Sequence, residues 1–131
     1  MSIGGASVSR IELQLVICDK KVLNGEFKRH FSPLTINKLV SRMPISGLIN
    51  KYHDNFIYVK TDIDIGVEKP VKTFSRGDIA FSPSGSYMAV FLKNSTMAQK
   101  FSLLGNITSD NLDVLLPVTT GDVITIRRLG V

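Results

Sequence analysis

Apolar and polar residues alternate along many short segments of this chain, a pattern typical of strands that bury one face of a sheet. The first such segment, residues 10–18, places four apolar side chains on one face and Glu12 and Gln14 on the other. The pattern predicts strands at residues 10–18, 22–31, 55–60, 71–74, 101–107 and 123–129 and in both arms of residues 77–92, with a short edge strand near residues 63–67.

Residues 77–92 are organised as a hairpin, in which two apolar runs flank the sequence Ser-Pro-Ser-Gly-Ser at residues 82–86. Pro83 cannot donate to a strand ladder and Gly85 tolerates positive φ, so the reversal is predicted between them. The first run opens with Gly77 and Asp78, and the same Gly-Asp pair recurs at residues 121–122 before the last apolar run. Two strands are therefore predicted to begin from the same kind of turn.

One three-turn helix is predicted at residues 33–43, with Ser32 as the N-cap and Pro33 in the first helical position. Its apolar residues recur at helical spacing, and Pro44 ends it. A short second helix is predicted to start at residue 108 or 109 and to run to Pro117. Residues 19–21 are predicted to end the first strand, although Asn24 with Gly25 could instead place the reversal there or mark a bulge. Residues 93–99 are predicted to be a polar loop.

With 131 residues, the chain has the length of one domain, predicted at residues 10–131 after a flexible tail at residues 1–9. Evenly spaced antiparallel strands in a chain of this length close most economically as a barrel, because closure removes exposed edges. The expected fold class is mainly β, a closed barrel of about eight strands with one three-turn helix and one short helix.

Composition and charge limit the classes of partner and the cellular locations that we expect for this chain. The net charge of +5 is scattered along the chain, which makes nucleic acid an unlikely partner. No apolar run approaches the roughly 20 residues that span a bilayer, so no membrane association is expected. A single cysteine, Cys18, excludes an internal disulfide, favours a cytoplasmic location and is expected to be an inert core thiol.

Candidate chemistry is sparse. His53 and Asp54 are the only adjacent histidine and carboxylate, but neighbours on a strand point to opposite faces. His30, His53 and Cys18 lack the close spacing of a metal site, so no metal and no cofactor are expected. The serines at residues 82–86 have no nearby base and lack the spacing of a nucleophile elbow, so no catalytic residue is predicted.

The order of elements and several motifs resemble the cyclophilin-like family of small prokaryotic proteins of unknown function. The resemblance rests on Ser-Pro-Leu-Thr at residues 32–35, Met-Pro-Ile-Ser-Gly at 43–47, Phe-Ile-Tyr at 56–58 and the hairpin at 77–91. It implies a cyclophilin-like barrel. This chain has Ser82 and Lys93 where the family pattern has an aromatic residue and a glycine. True cyclophilins are peptidyl-prolyl isomerases, and their site has an arginine and a Phe-Met-x-Gln segment. In this chain the corresponding residues 50–56 contain no arginine, and no Phe-Met-x-Gln segment follows them.

The resulting hypothesis is a non-catalytic binding module that holds a small molecule or an extended peptide in an apolar groove, as a monomer or a homodimer. The alternative is a weak peptidyl-prolyl cis-trans isomerase, to be recognised by an arginine at the mouth of an apolar pocket. Aromatic and polar residues near the hairpin and the strand at 55–60 are the candidate ligand contacts: Tyr52, His53, Phe56, Tyr58, Phe81, Ser82, Tyr87 and Met88.

Overall fold

The computed structural model describes residues 9–129, so most of the tail predicted at residues 1–9 and the last two residues lie outside the described part. Ten strands, one α helix and one turn of 3₁₀ helix occur between Ser9 and Leu129. In chain order they are β1 (Arg10–Ile17), β2 (Lys21–Lys28), α1 (Pro33–Ser41), β3 (Ile45–Leu48), β4 (Asn50–Tyr52), β5 (Phe56–Lys60), β6 (Pro70–Phe74), β7 (Asp78–Ser82), β8 (Tyr87–Phe91), β9 (Ser95–Ile107), the 3₁₀ turn (Leu112–Leu115) and β10 (Val123–Arg128).

All the strand pairs are antiparallel, in the order β3-β10-β1-β2-β9-β7-β8-β5-β4, and β6 pairs with β9 outside this path. The fold is therefore mainly β, as predicted. The hydrogen-bonded path ends at β3 and β4, so strand pairing does not by itself show a closed barrel. These two end strands are consecutive in the chain and are separated only by Ile49, which is buried.

Alternation along the strands divides the interior into two clusters. The main core contains alternate residues of β5, β7 and β8, such as Ile57, Phe81 and Met88, together with Ile36 and Leu39 of α1. The opposite face of the same strands carries a second, largely aromatic cluster whose buried members are Phe56, Phe74, Ala80, Ala89, Phe91, Met97 and Phe101. Because successive side chains on a strand point to opposite faces, the two clusters lie on opposite sides of the sheet.

Helix α1 spans Pro33–Ser41, two residues shorter than predicted. Its N-terminus is capped by Glu68, a residue distant in sequence. The Ser32 hydroxyl makes no capping bond and donates instead to the Leu103 carbonyl oxygen at 2.8 Å. The Glu68 carboxylate takes the capping role, accepting from the backbone N–H of Leu34 at 3.2 Å and from the N–H and hydroxyl of Thr35 at 2.7 and 2.8 Å. A carboxylate at this end also suits the helix dipole.

The two Gly-Asp pairs form the same turn, as the sequence predicted. Asp78 Oδ2 accepts from the Ser75 N–H at 2.9 Å, and Asp122 Oδ2 accepts from the Thr119 N–H at the same distance. The intervening glycines, Gly77 and Gly121, have φ of 95° and 100°, a region that glycine enters without the strain a side chain would cause. Strands β7 and β10 start directly from these turns.

Several local predictions were wrong. Residues 95–99 belong to β9 and pair in part with β6, although their polar composition suggested a loop, and residues 63–67 form no strand. The short strands β3 and β4 were missed. The alternative of a turn or bulge at Asn24 and Gly25 was also wrong, because the reversal occurs at residues 18–20, next to the predicted break at residues 19–21, and Cys18 and Asp19 there both have positive φ. Cys18 is exposed, so it is not a core thiol.

Candidate functional site

Aromatic residues gather on the outer face of the sheet. All three tyrosines of the chain and four of its seven phenylalanines belong to this cluster. Phe56 is at its centre, with ring centroids 5.0 Å from Tyr52, 4.9 Å from Phe91 and 5.9 Å from Phe101. The phenylalanines are fully or almost fully buried, so they form a rigid bed beneath the tyrosines.

Three tyrosines cover this bed, and we call Tyr52, Tyr58 and Tyr87 the tyrosine surface. Tyr52 is 42% exposed and stacks on Phe56 at an interplanar angle of 11°. Tyr58 and Tyr87 are half-buried, with ring centroids 4.4 Å apart. The tyrosine surface thus presents several aromatic rings, each held by packing from below and partly open to solvent.

A polar network fixes one end of this surface. The Tyr87 hydroxyl accepts from Gln99 Nε2 at 3.2 Å, and Gln99 Oε1 accepts from the Ser84 hydroxyl at 3.1 Å. Ser82 is buried and its hydroxyl lies 3.4 Å from that of Ser84. Burial raises the pKa of the Tyr87 hydroxyl, while hydrogen bonds with Ser82 and Gln99 act in the opposite direction. Tyr87 is therefore neutral at physiological pH and can donate a hydrogen bond.

Gly85 allows the Tyr87 ring to lie over the hairpin turn. A Cβ atom at this position would be 2.5 Å from Cε2 of Tyr87, closer than carbon atoms approach without a shift. The turn is held on its other side by Thr61, whose N–H and hydroxyl both donate to the Ser86 carbonyl oxygen, at 2.8 and 3.0 Å. The local sequence of the hairpin therefore sets the position of the ring.

The structure separates the predicted ligand contacts into two groups. Tyr52, Phe56, Tyr58 and Tyr87 lie together in the aromatic cluster, and Ser82 borders it through its contact with Tyr87. Phe81 and Met88 are buried in the main core on the opposite face. The strand neighbours Phe81 and Ser82, like Tyr87 and Met88, could not both face one ligand, because side chains alternate across the sheet.

His53 lies at the margin of the cluster. It is exposed, has a φ of 50°, and contacts the edge of Tyr52 at a centroid distance of 4.7 Å. Within residues 9–129 it forms no ion pair with Asp54. The same range contains no group of three metal-ligating side chains that could hold an ion.

Gln99 and Ser84 were missed as site residues, as were Phe74 and Phe101 beneath the surface. Gln99 is hidden in the stretch that was predicted to be a loop. Once residues 95–107 are recognised as one strand, Met97, Gln99 and Phe101 fall at alternate positions. That alternation is the sequence signal that places Gln99 on the aromatic face.

One cavity lies among the core residues of β5, β8 and β10. The internal cavity bounded by residues of β5, β8 and β10, among them Tyr58 and Met88, has a volume of about 10 Å³. This is about the space of one water molecule, whereas pockets for small molecules have volumes of roughly 300–1,000 Å³. This cavity is therefore too small to hold a ligand.

Comparison with known proteins identifies the fold family. The model of the cyclophilin-like family matches residues 10–127. The chain belongs to the cyclophilin-like family. A search of curated proteins finds no match. No helix among residues 9–129 is long and apolar enough to cross a membrane.

Solved structures agree on this cyclophilin-like fold. The solution structure of the hypothetical protein AF2241 from Archaeoglobus fulgidus superposes with a TM-score of 0.76 at 19% identity, covering 92% of this chain and 95% of that one. The structure of McbB in complex with tryptophan superposes with a TM-score of 0.74 at 12% identity, covering 91% of this chain. The cyclophilin-like chain corresponds to only 45% of the McbB chain.

No arginine of this cyclophilin-like chain is bound to the tyrosine surface within the described residues. Arg42 pairs with Asp62, Arg76 with Asp113 and Arg127 with Gln14. Among residues 9–129 no arginine makes a cation–π contact or a hydrogen bond with a ring of the cluster. The tyrosine surface consequently has polar groups in Tyr87 and Gln99 beside it but no arginine in contact with its rings.

Proposed function

We propose that this chain is a non-catalytic binding module that holds a small molecule or an extended peptide against the tyrosine surface. One observation carries the proposal: all three tyrosines of the chain pack, partly exposed, on one bed of buried phenylalanines, with Tyr58 and Tyr87 in contact and Tyr52 stacked on Phe56. Exposed aromatic rings that are fixed in this way supply contact area at little cost in side-chain entropy.

Two kinds of contact would act together. Aromatic rings of the surface gain about 0.5–1.5 kcal/mol per pair with another ring, beyond the burial of area. At one end, Tyr87 and Gln99 supply hydrogen-bond groups that orient a polar part of the ligand. A few polar groups beside an apolar wall are the usual composition of a small-molecule site.

We infer that the module is non-catalytic because no activated group contacts the tyrosine surface within the described residues. Tyr87 is held neutral, His53 has no carboxylate partner in the described residues, and no arginine contacts the rings. The alternative, weak peptidyl-prolyl isomerisation, needs a donor near the prolyl nitrogen at this surface, and the arginine that would supply it is missing there. A protease-coupled assay on a proline tetrapeptide tests this alternative, and a rate above background would favour it.

Tyrosine fluorescence and ring resonances test binding directly. The chain has no tryptophan, so its intrinsic fluorescence comes from the three tyrosines of this surface. A proline tetrapeptide can be titrated against this fluorescence. Because a protein containing this fold has been solved with tryptophan, L-tryptophan is a rational second probe, followed by the NMR signals of the tyrosine rings.

We expect saturable changes that are lost in Tyr58→Ala and kept in the control Leu116→Ala, which truncates an apolar side chain that is 53% exposed outside the cluster. A melting temperature for each variant separates loss of binding from loss of folding. If either probe binds with equal affinity to wild type and to folded Tyr58→Ala, or if both leave the tyrosine signals unchanged, the tyrosine surface is not the binding site.

We infer that the segment from β3 through Ile49 to β4 closes the sheet into a barrel, since it joins the two ends of the strand order with a single buried residue.

We also infer a cytoplasmic location, since the exposed thiol of Cys18 is stable as a free thiol in a reducing compartment. Light scattering distinguishes a monomer from a homodimer.

A further inference from the structure

A cleft lies away from the tyrosine surface, between the end of α1 and strand β10. Its volume is about 420 Å³, within the range of small-molecule sites. The apolar side chains of Val40, Met43 and Pro44 form one wall. Thr125, Arg127 and Arg128 form the other. No acidic residue lines this cleft, which we call the arginine cleft.

The two arginines of the cleft are not neutralised. Arg127 donates from Nε to Gln14 Oε1 at 2.8 Å and from Nη2 to the same oxygen, so a neutral amide fixes its guanidinium and leaves its charge intact. Arg128 is exposed and has neither an ion pair nor a side-chain hydrogen bond among residues 9–129. Arg42 contrasts with both, because it pairs with Asp62 at 2.5 Å.

Neighbouring groups do not offset this charge. The last turn of α1 has its Leu39 and Val40 carbonyl oxygens already bonded to backbone N–H groups, so they do not project a free negative end. The Thr125 hydroxyl lies 2.5 Å from the hydroxyl of Ser46 on the paired strand β3. This hydroxyl pair and Pro44 lie between the arginine cleft and a neighbouring cleft of about 350 Å³ that contains the Arg42–Asp62 pair.

We propose that the arginine cleft binds an organic anion, in which a carboxylate or phosphate group is attached to an apolar body. Arg128 would hold the anionic group, because alternation along β10 puts it on the same face as Ile124 and Ile126, which pack in the main core with α1. Val40, Met43 and Pro44 would contact the apolar body. Arg127, its neighbour on the strand, has the opposite face and stays bonded to Gln14. Guanidinium groups match the oxygens of carboxylates and phosphates through paired hydrogen bonds. The apolar wall adds affinity that an inorganic anion cannot gain. This site is independent of the function proposed for the tyrosine surface.

Four probes test the two requirements separately: phenyl phosphate, phenylacetate, inorganic phosphate and benzyl alcohol. Each is titrated into the folded chain at low ionic strength, with backbone amide NMR signals as the readout. We expect at least one of the two aromatic anions to shift the signals of Thr125 and its neighbours with an affinity at least tenfold higher than inorganic phosphate or benzyl alcohol. Comparison of phenyl phosphate with phenylacetate identifies which anionic group the cleft prefers.

A charge-removing variant tests whether Arg128 binds the anion. Arg128→Gln removes one positive charge at a position without a side-chain partner in the described residues, so it should weaken binding of the preferred anion at least fivefold without loss of folding. Lys72→Gln removes the same charge from the exposed strand β6, four strands away in the sheet order, and should leave binding unchanged. An equal loss of affinity in both variants would show that binding depends only on the net charge of the chain.

The proposal is overturned if neither aromatic anion binds near Thr125, if inorganic phosphate binds as tightly as both, or if benzyl alcohol does so. It is also overturned if Arg128→Gln binds like wild type. Because these probes are read at amides around Thr125 and not at the tyrosine rings, failure here leaves the proposal for the tyrosine surface standing.

Discussion

Replacement of Glu68 by alanine should destabilise the fold by about 2 kcal/mol, because one carboxylate caps α1 with three hydrogen bonds. Loss of a helix cap costs about 0.5–2 kcal/mol. Thr35 is buried, so water does not easily replace the partner of its N–H and hydroxyl, whereas Leu34 is 63% exposed and its N–H can be solvated. Thr35 therefore accounts for most of the expected loss.

Glu68→Gln should cost less, about 1 kcal/mol, because it keeps one carbonyl oxygen for both bonds to Thr35 and loses the charge and the acceptor for Leu34. Urea unfolding at neutral pH measures both losses. Thermal unfolding should show a shift of roughly 4 °C per kcal/mol for a chain of this size. Glu12→Gln is the matched control, since Glu12 is exposed on β1 and forms no ion pair among residues 9–129.

The pH dependence follows from the direction of the shift. Burial opposes ionisation of Glu68, but the hydrogen bonds from Thr35 and Leu34 outweigh it and hold the pKa below its ordinary value of 4.5. The unfolded chain therefore takes up a proton before the folded chain does. The contribution of Glu68 is complete above pH 4.5 and is lost as the pH falls through the lower folded-state pKa.

Wild type should therefore lose stability below this pH more steeply than Glu68→Gln, whose cap does not titrate. The reasoning is refuted if Glu68→Ala unfolds at the same urea concentration as wild type. It is equally refuted if wild type and Glu68→Gln lose stability in parallel on acidification.

Two glycines that lack room for a Cβ atom and one exposed cysteine allow direct tests. Gly105→Ala should prevent stable folding, measured by circular dichroism, because its Cβ would lie 1.8 Å from the Glu26 carbonyl oxygen. Gly85→Ala should leave the fold intact but change tyrosine fluorescence, because the new Cβ displaces the Tyr87 ring. Cys18 should react with a thiol reagent in the folded chain as fast as in urea, because it is exposed.

Gly66→Ala is the control for both glycine variants, since a Cβ there meets no atom within 4 Å. A normally folded Gly105→Ala, or unchanged fluorescence in Gly85→Ala, would contradict the packing described for each position. Protection of Cys18 until the chain is unfolded would contradict its exposure.

Much of the fold was predictable because its signals are local. Alternation found β1 and the hairpin of β7 and β8, and the repeated Gly-Asp pair found two identical turns, since the Asp side chain bonds three residues back in each. The helix was found from Pro33 and its apolar spacing. Its cap was not, because Glu68 lies 33 residues after Thr35 and only the tertiary fold brings the two together.

The candidate site was predictable in part for the same reason. Aromatic composition identified Tyr52, Tyr58 and Tyr87, but composition does not state which face of a strand a residue occupies. Phe81 and Met88 were assigned to the site although the strand pleat directs them into the main core. Their separation from Tyr87 depends on register, which cross-strand pairing sets and short sequence motifs do not.

The pairing of β1 with β10 has a consequence for how this polypeptide acquires its structure during synthesis. These neighbouring strands join residues 13–17 to residues 124–128, more than a hundred positions apart. A ribosome-bound chain cannot complete the sheet until residue 128 has left the exit tunnel, so β1 remains unpaired on that side until more than a hundred further residues have been synthesised. Non-local pairing of this kind folds slowly. We therefore expect a chaperone to bind the unpaired edge of β1.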